Sequence, residues 1–220
     1  MVPAALPDGP WRNLFRKALL LMEDVKRHGH SKPFWTFGGG TVLMLRYEHR
    51  LSKDIDLFVP DPQYLGYVTP RLSDVAASVT EDYDEGSQYV KLFLPEGEID
   101  IVASPNLTDN PYEDWMLLEH PVKVESAAEI VAKKMWHRGD RPTPRDLFDL
   151  CCVIDREPDD LQKAAPFLLR HREIFLHELT ANATPLSRRF NDIRTLNYHP
   201  HYDECVEKAT KFLNNLALQR

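Results

Sequence analysis

Between Trp11 and His28 the apolar residues Leu14, Phe15, Ala18, Leu19, Met22 and Val25 recur at helical spacing, and Gly29 offers a stop, so the pattern predicts an amphipathic first helix. Pro33 then opens the aromatic run Phe34-Trp35-Thr36-Phe37, which ends on Gly38-Gly39-Gly40 and gives way to Val42-Leu43-Met44-Leu45-Arg46-Tyr47; this predicts strand, tight turn, short helix. Asp54-Ile55-Asp56-Leu57-Phe58-Val59 alternates polar with apolar until Pro60, the pattern of a half-buried strand. Residues 62–78 read as a helix, and residues 89–94 and 98–102 flank Pro95-Glu96-Gly97 as the strands of a β-hairpin. From Ser126 the period turns helical. Ser126 with Glu129 three residues on predicts a capping box, and Pro142, Pro144, Pro158, Pro166 and Pro185 divide the remainder of the chain into short helices. The expected class is α/β (α+β), with a mixed-sheet core over residues 1–124 and a helical half over residues 125–220.

Composition narrows this little: 220 residues at 43% hydrophobic and 28% charged are ordinary for a globular protein. The longest apolar run, residues 18–22, is far shorter than a membrane span. The proline-rich N-terminal stretch lacks the order of a signal peptide, so no membrane partner and a cytoplasmic location are expected. Cys151, Cys152 and Cys205 lack the spacing of a disulfide framework or a zinc site and read as small buried apolar residues. A formal net charge of -7 argues against a surface that grips nucleic acid all over, so any such contact needs a local basic patch.

Side chains alternate faces along a strand, so Asp54 and Asp56 point one way while Ile55 and Leu57 point into the core. At a rise of ~3.3 Å per residue the two carboxylates stand about 7 Å apart, a separation that brackets a hard divalent cation. Asp100, in Glu98-Ile99-Asp100-Ile101, is the candidate third carboxylate from a neighbouring strand. Half-exposed strands alternate in the same way without any metal, so the acid pair alone leaves a plain solvated face open. The glycine turn changes the balance: backbone N–H groups at a glycine-lined helix entrance suit a triphosphate, with Thr41 supplying a hydroxyl.

Phe37-Gly38-Gly39-Gly40-Thr41 through Asp54-Ile55-Asp56-Leu57 resembles the polymerase-β-type nucleotidyltransferase signature, a glycine pair followed by an acid-apolar-acid strand. More narrowly, Gly39-Gly40-Thr41 with His49-Arg50-Leu51-Ser52-Lys53-Asp54-Ile55-Asp56-Leu57-Phe58 is similar to the AbiEii/AbiGii family, the nucleotidyltransferase toxins of type IV toxin–antitoxin and abortive-infection systems. Glu129-Ile130-Val131-Ala132-Lys133-Lys134-Met135, then Arg138, Arg141 and Arg145-Asp146-Leu147-Phe148-Asp149-Leu150, resembles that family's lysine motif and its arginine-aspartate helix.

The resemblance implies an enzyme that moves a nucleoside monophosphate from an NTP to an acceptor, releases pyrophosphate and uses Mg2+ or Mn2+. It implies Asp54 and Asp56 as catalytic carboxylates, holding the metal together with Asp100, and Gly39, Gly40, Thr41, Arg50 and Ser52 at the nucleotide. Lys134 is the implied phosphate-neutralising lysine, and Asp146 would orient it or activate the attacking group. Lys133 lies about 100° around the same helix and is the alternative lysine; Asp149, three residues on from Asp146 along the same helix face, is the alternative partner that supports the site from behind, and Arg50 suits a structural ion pair equally well. The implied acceptor is RNA, at the 3′ end of tRNA, and the implied partner is a cognate antitoxin. A small-molecule or protein acceptor, and a catalytically idle nucleotide-binding module, are the other readings. Lys133, Lys134, His137, Arg138, Arg141 and Arg145 make the best local site for RNA phosphates, with interhelical salt bridges as the alternative. The pairs His28/His30 and His199/His201 lack a third ligand and read as surface histidines.

Overall fold

The computed structural model of the chain describes residues 6–28 and 32–216, so Gly29, His30 and the start of the proline-rich stretch lie outside it. Two compact units divide the chain. One holds everything up to Arg46 together with Ser52–Asn106 and Tyr112–Glu125; the other holds Tyr47–Leu51, Leu107–Pro111 and the chain from Ser126 onward.

The first unit is built on one mixed sheet. Among the described residues its strands are β1 (Thr36–Gly38), β2 (Ile55–Val59), β3 (Tyr83–Gly86), β4 (Tyr89–Leu94), β5 (Gly97–Ala103), β6 (Tyr112–Leu117) and β7 (His120–Glu125), in the spatial order β3-β4-β5-β2-β1-β7-β6. The pairs β2/β5 and β1/β7 are parallel and the others antiparallel. Ile55, Leu57 and Val59 are buried while Asp56 and Phe58 are half-buried, which is the alternation expected of a strand with one face on the core. Helix α1 (Trp11–Arg27) lays its apolar stripe on β2 and β5. The Phe15 ring stands 5.1 Å from that of Phe37. Helix α2 (Gly39–Tyr47) follows β1 without a connecting residue.

Two expectations for this unit change. Residues 62–78 form not one helix but a 3-10 helix over Pro62–Tyr67 and, after a break, α3 (Asp74–Val79). Pro70 is the cause, because it removes a helical donor and pushes Thr69 out of the α region, and Ser73 then caps a fresh start by accepting the Ala76 amide at 3.1 Å. The pairing of β6 with β7 was not anticipated. Its two-residue turn, Leu118-Glu119, has φ of 47° and 69° and lacks the Asn-Gly signal that such turns usually carry.

The second unit is helical: α4 (Ala127–Arg138), α5 (Pro144–Arg156), α6 (Pro158–Lys163), α7 (Ala165–Leu168), α8 (Arg172–Ala181), α9 (Ala183–Asn191) and α10 (Tyr202–Asn215). Prolines open α5 and α6 and sit in the first turns of α7 and α9, where no helical N–H is lost. The Ser126 hydroxyl accepts the Glu129 amide, but the Glu129 carboxylate turns to the Leu107 and Thr108 amides, so only half of the expected capping box forms. A full box appears instead at Thr143 and Asp146. The core packs α5 against α10, with Phe148 between the rings of Phe190 and Tyr198. All three cysteines are buried and free. Residues 47–51 belong to this unit through backbone bonds from Leu51 N to Arg194 O, Leu196 N to His49 O and Asn197 N to Glu48 O.

Candidate active site

In the first unit the sheet register lines up the acids. Asp56 is the parallel partner of Asp100 across β2 and β5, and the antiparallel partner of Gly38 on its other side. Gly39 opens α2 with φ of 72°, and a Cβ there would lie 1.9 Å from Asp56 Oδ2; the glycine is required both by its backbone and by the carboxylate over it. Gly40 follows in the first turn of α2. Asp54 sits one residue ahead of β2, where its Oδ1 accepts the Glu98 amide at 3.0 Å. Thr41 is fully buried and donates to the Asp54 carbonyl at 2.6 Å, with Ser52 Oγ 3.1 Å away, so it ties α2 to the segment that carries the acids.

Asp100 is the most perturbed of these groups. Its Oδ2 pairs with Lys91, its antiparallel partner on β4, at 3.1 Å. Its Oδ1 is buried and has no hydrogen-bond partner among the described residues. Burial, then the neighbouring charge of Asp56, raises its pKa to about 7. Hard oxygen ligands, a bare buried carboxylate oxygen and a glycine cradle under Asp56 fit a divalent cation. Asp54 has one oxygen committed to a backbone amide, and among the described residues no three acidic, histidine or cysteine side chains converge as ready-made ligands.

The second unit gathers its candidates around Asp149. This residue is fully buried and accepts a bidentate pair from Arg50, Nε to Oδ1 at 2.7 Å and Nη2 to Oδ2 at 2.8 Å. His49 Nε2 lies 2.8 Å from Oδ1, and Lys134 Nζ donates to Oδ2 at 2.7 Å. Burial alone would raise the Asp149 pKa, but the charges of Arg50 and Lys134 and the bonds from His49 and Arg50 hold it well below the usual range. Lys134 also reaches Asp146 Oδ1 at 3.2 Å, and Arg138 reaches the same oxygen at 2.6 Å. Asp146 Oδ2 takes the Thr143 amide and hydroxyl. Burial again opposes the outcome, yet those charges and bonds lower the Asp146 pKa.

The two candidate lysines separate cleanly: Lys133 is buried beside Glu129, with 3.4 Å from Nζ to Oε1, while Lys134 faces the Asp146–Asp149 pair. Of the two readings of Arg50, the structure contains the ion pair. Among the described residues Lys133, Lys134 and Arg138 of the basic run have acidic partners, so salt bridges take up part of what sequence offered to RNA; Arg141 and Arg145 are exposed. His28, His199 and His201 are exposed.

The sequence profile described as nucleotidyl transferase AbiEii toxin, Type IV TA system, matches residues 20–215. This chain belongs to the AbiEii family. It is therefore a nucleotidyltransferase and a type IV toxin, a membership that implies an NTP substrate and an antitoxin. No curated protein matches it. Among solved structures this AbiEii chain is similar to JHP933 from Helicobacter pylori, with TM-score 0.53 and 14% identity over 96% of this chain and 93% of that one. It is also similar to MenT4, a nucleotidyltransferase toxin from Mycobacterium tuberculosis, with TM-score 0.49 and 17% identity over 93% of this chain and 86% of that one. JHP933 supports the fold. No helix among the described residues is long and apolar enough to cross a membrane.

Sequence reasoning missed His49 and Lys91. It also missed Glu125, a fully buried acid that takes the Thr36 hydroxyl and whose Oε2 would lie 2.2 Å from a Cβ on Gly38. The one signal for Glu125 was an acid closing the apolar alternation of Val122 and Val124.

Proposed function

We propose that this AbiEii protein transfers a nucleoside monophosphate from an NTP to an RNA 3′ hydroxyl. The observation that carries the reading is the Asp56–Asp100 register pair, with Gly39 beneath one carboxylate and a bare oxygen on the other. Asp54, Asp56 and Asp100 would hold Mg2+ or Mn2+, which when bound supplies charge neutralisation at the α-phosphate. The backbone at Gly39 and Gly40 offers the helix entrance to the remaining phosphates. The acceptor oxygen attacks the α-phosphorus, the bond from that phosphorus to the bridging oxygen breaks, and pyrophosphate leaves. The hydroxyl proton goes to a carboxylate. Asp100 suits this better than Asp146, whose oxygens are already engaged by Lys134, Arg138 and Thr143.

The lysine motif assigns Lys134 the positive charge for the transferring phosphoryl group; within the second unit Asp146 and Asp149 fix its ammonium from two sides. Thr41 and Ser52 tie α2 to the segment that carries the acids, and Arg50 is held by Asp149. The test is incubation of purified protein with each labelled NTP, a divalent cation and total RNA, followed by separation of RNA, protein and small molecules. Label on RNA, lost in Asp56→Asn with an unchanged melting curve, is expected. Label on protein or a small molecule with RNA present overturns the RNA reading, and full activity in Asp56→Asn removes Asp56 from the chemistry.

A further inference from the structure

At the far end of α4 from its cap, Trp136 is half-buried and stacks against the turn between α7 and α8. Its ring meets Phe167 edge-on at 5.7 Å between centroids. The Arg170 guanidinium lies over the Trp136 ring, 3.9 Å from Cζ to the centroid. His137 and Arg170 are exposed. A side-chain carbon built on Gly139 would fall 3.0 Å from His171 Cβ, so this turn closes directly on the end of α4. Partial desolvation by its surroundings, then the charges of Lys133, Arg170 and Arg138, lowers the His137 pKa.

What distinguishes Arg170 from Lys133, Lys134 and Arg138 is its partner. Those three are matched by carboxylates, whereas Arg170 makes no ion pair among the described residues and is held only by an aromatic face. A guanidinium stacked on indole has its second face and its outer N–H groups free. A nucleobase can continue that stack while the N–H groups take a phosphate. A carboxylate would use the edge alone and leave the stacked face idle.

We propose that Trp136, Phe167 and Arg170 form a stacking platform for a base and adjacent phosphate of the acceptor RNA. The inference rests on the RNA reading above and assigns it a surface that takes Trp136 from the Lys133–Arg145 run and its cation, Arg170, from outside it. Binding is measured directly, with a short fluorescent single-stranded RNA and the full chain, separately from transfer. Trp136→Ala and Arg170→Ala should each weaken RNA binding by about tenfold, in the range of a lost stacked base. Arg170→Ala should also make the salt dependence shallower by one phosphate contact, and Arg170→Lys should restore that slope without restoring the affinity. NTP binding should not change, and melting curves check that each variant folds. Wild-type affinity for RNA in the folded variants overturns the proposal, as does failure of the parent to bind RNA at all. Competition by an acidic peptide but not by RNA for quenching of Trp136 fluorescence would make the platform a protein-docking site and overturns it too. RNA binding that depends on the platform, in a protein that labels no RNA, would leave the platform standing and defeat the transfer reading alone.

Discussion

At the residue scale the chain concentrates its risk on Asp149, one buried carboxylate served by Arg50, His49 and Lys134. Removing a partner from such a group strands a charge out of water, so Arg50→Ala should cost about 3–5 kcal/mol in urea unfolding. Lys would not replace the bidentate fork. Lys134→Ala leaves Asp149 its other two partners and removes the charge assigned to the phosphoryl group. The expected outcome is a fall in kcat of about a hundredfold or more with little change in NTP affinity, and a much smaller effect from Lys133→Ala. His49 adds a pH dependence. Burial chiefly, with Arg50 and Lys134 assisting, holds its pKa below 6.5 against the pull of Asp149. Unfolded His49 binds a proton below about pH 6.5 while the folded ring resists, so its contribution is complete above that pH and is lost as pH falls through the folded value. Denaturation midpoints should therefore drop as pH is lowered from about 7 toward 5, and His49→Gln should flatten that part of the profile.

At the scale of elements, the hairpin of β6 and β7 carries a removable cost. Leu118 and Glu119 both occupy the left-handed region, which suits the twist of a two-residue turn but penalises side chains with a Cβ. Replacing the pair by Asn-Gly should stabilise the protein by about 1–2 kcal/mol, read as a higher urea midpoint at constant m-value. The same turn explains what sequence alone conveyed. Gly39, Asp54 and Asp56 were legible because their meaning is local: a glycine before a helix and an alternating strand declare themselves within a short stretch of chain. β6 and β7 were not, because the turn that joins them wears ordinary residues. The Ser126–Glu129 box was half right, since nothing nearby announced that residues 107 and 108 would claim the glutamate. Lys133 and Lys134 could be separated only once the acids that each meets were placed. The His49–Asp149 contact joins positions a hundred apart, and no spacing rule reaches that far.

For the whole molecule, the net charge of -7 conceals how the cations are used, because several are spent on internal carboxylates. An acidic chain that binds RNA through a few exposed cations should show an acceptor affinity that falls steeply with salt, and an NTP affinity that falls less. A flat RNA profile between low and physiological salt would contradict RNA as acceptor. The partition of the chain has a further consequence, in time rather than energy. Residues 47–51, which lead into the acid pair, find their backbone partners at 194–197. A ribosome moving at roughly 5–20 residues per second makes Arg50 on the order of ten seconds before it makes Arg194. Throughout that interval the backbone of residues 47–51 lacks the partners at 194–197 that it has in the folded chain, so a late-made stretch completes an early one.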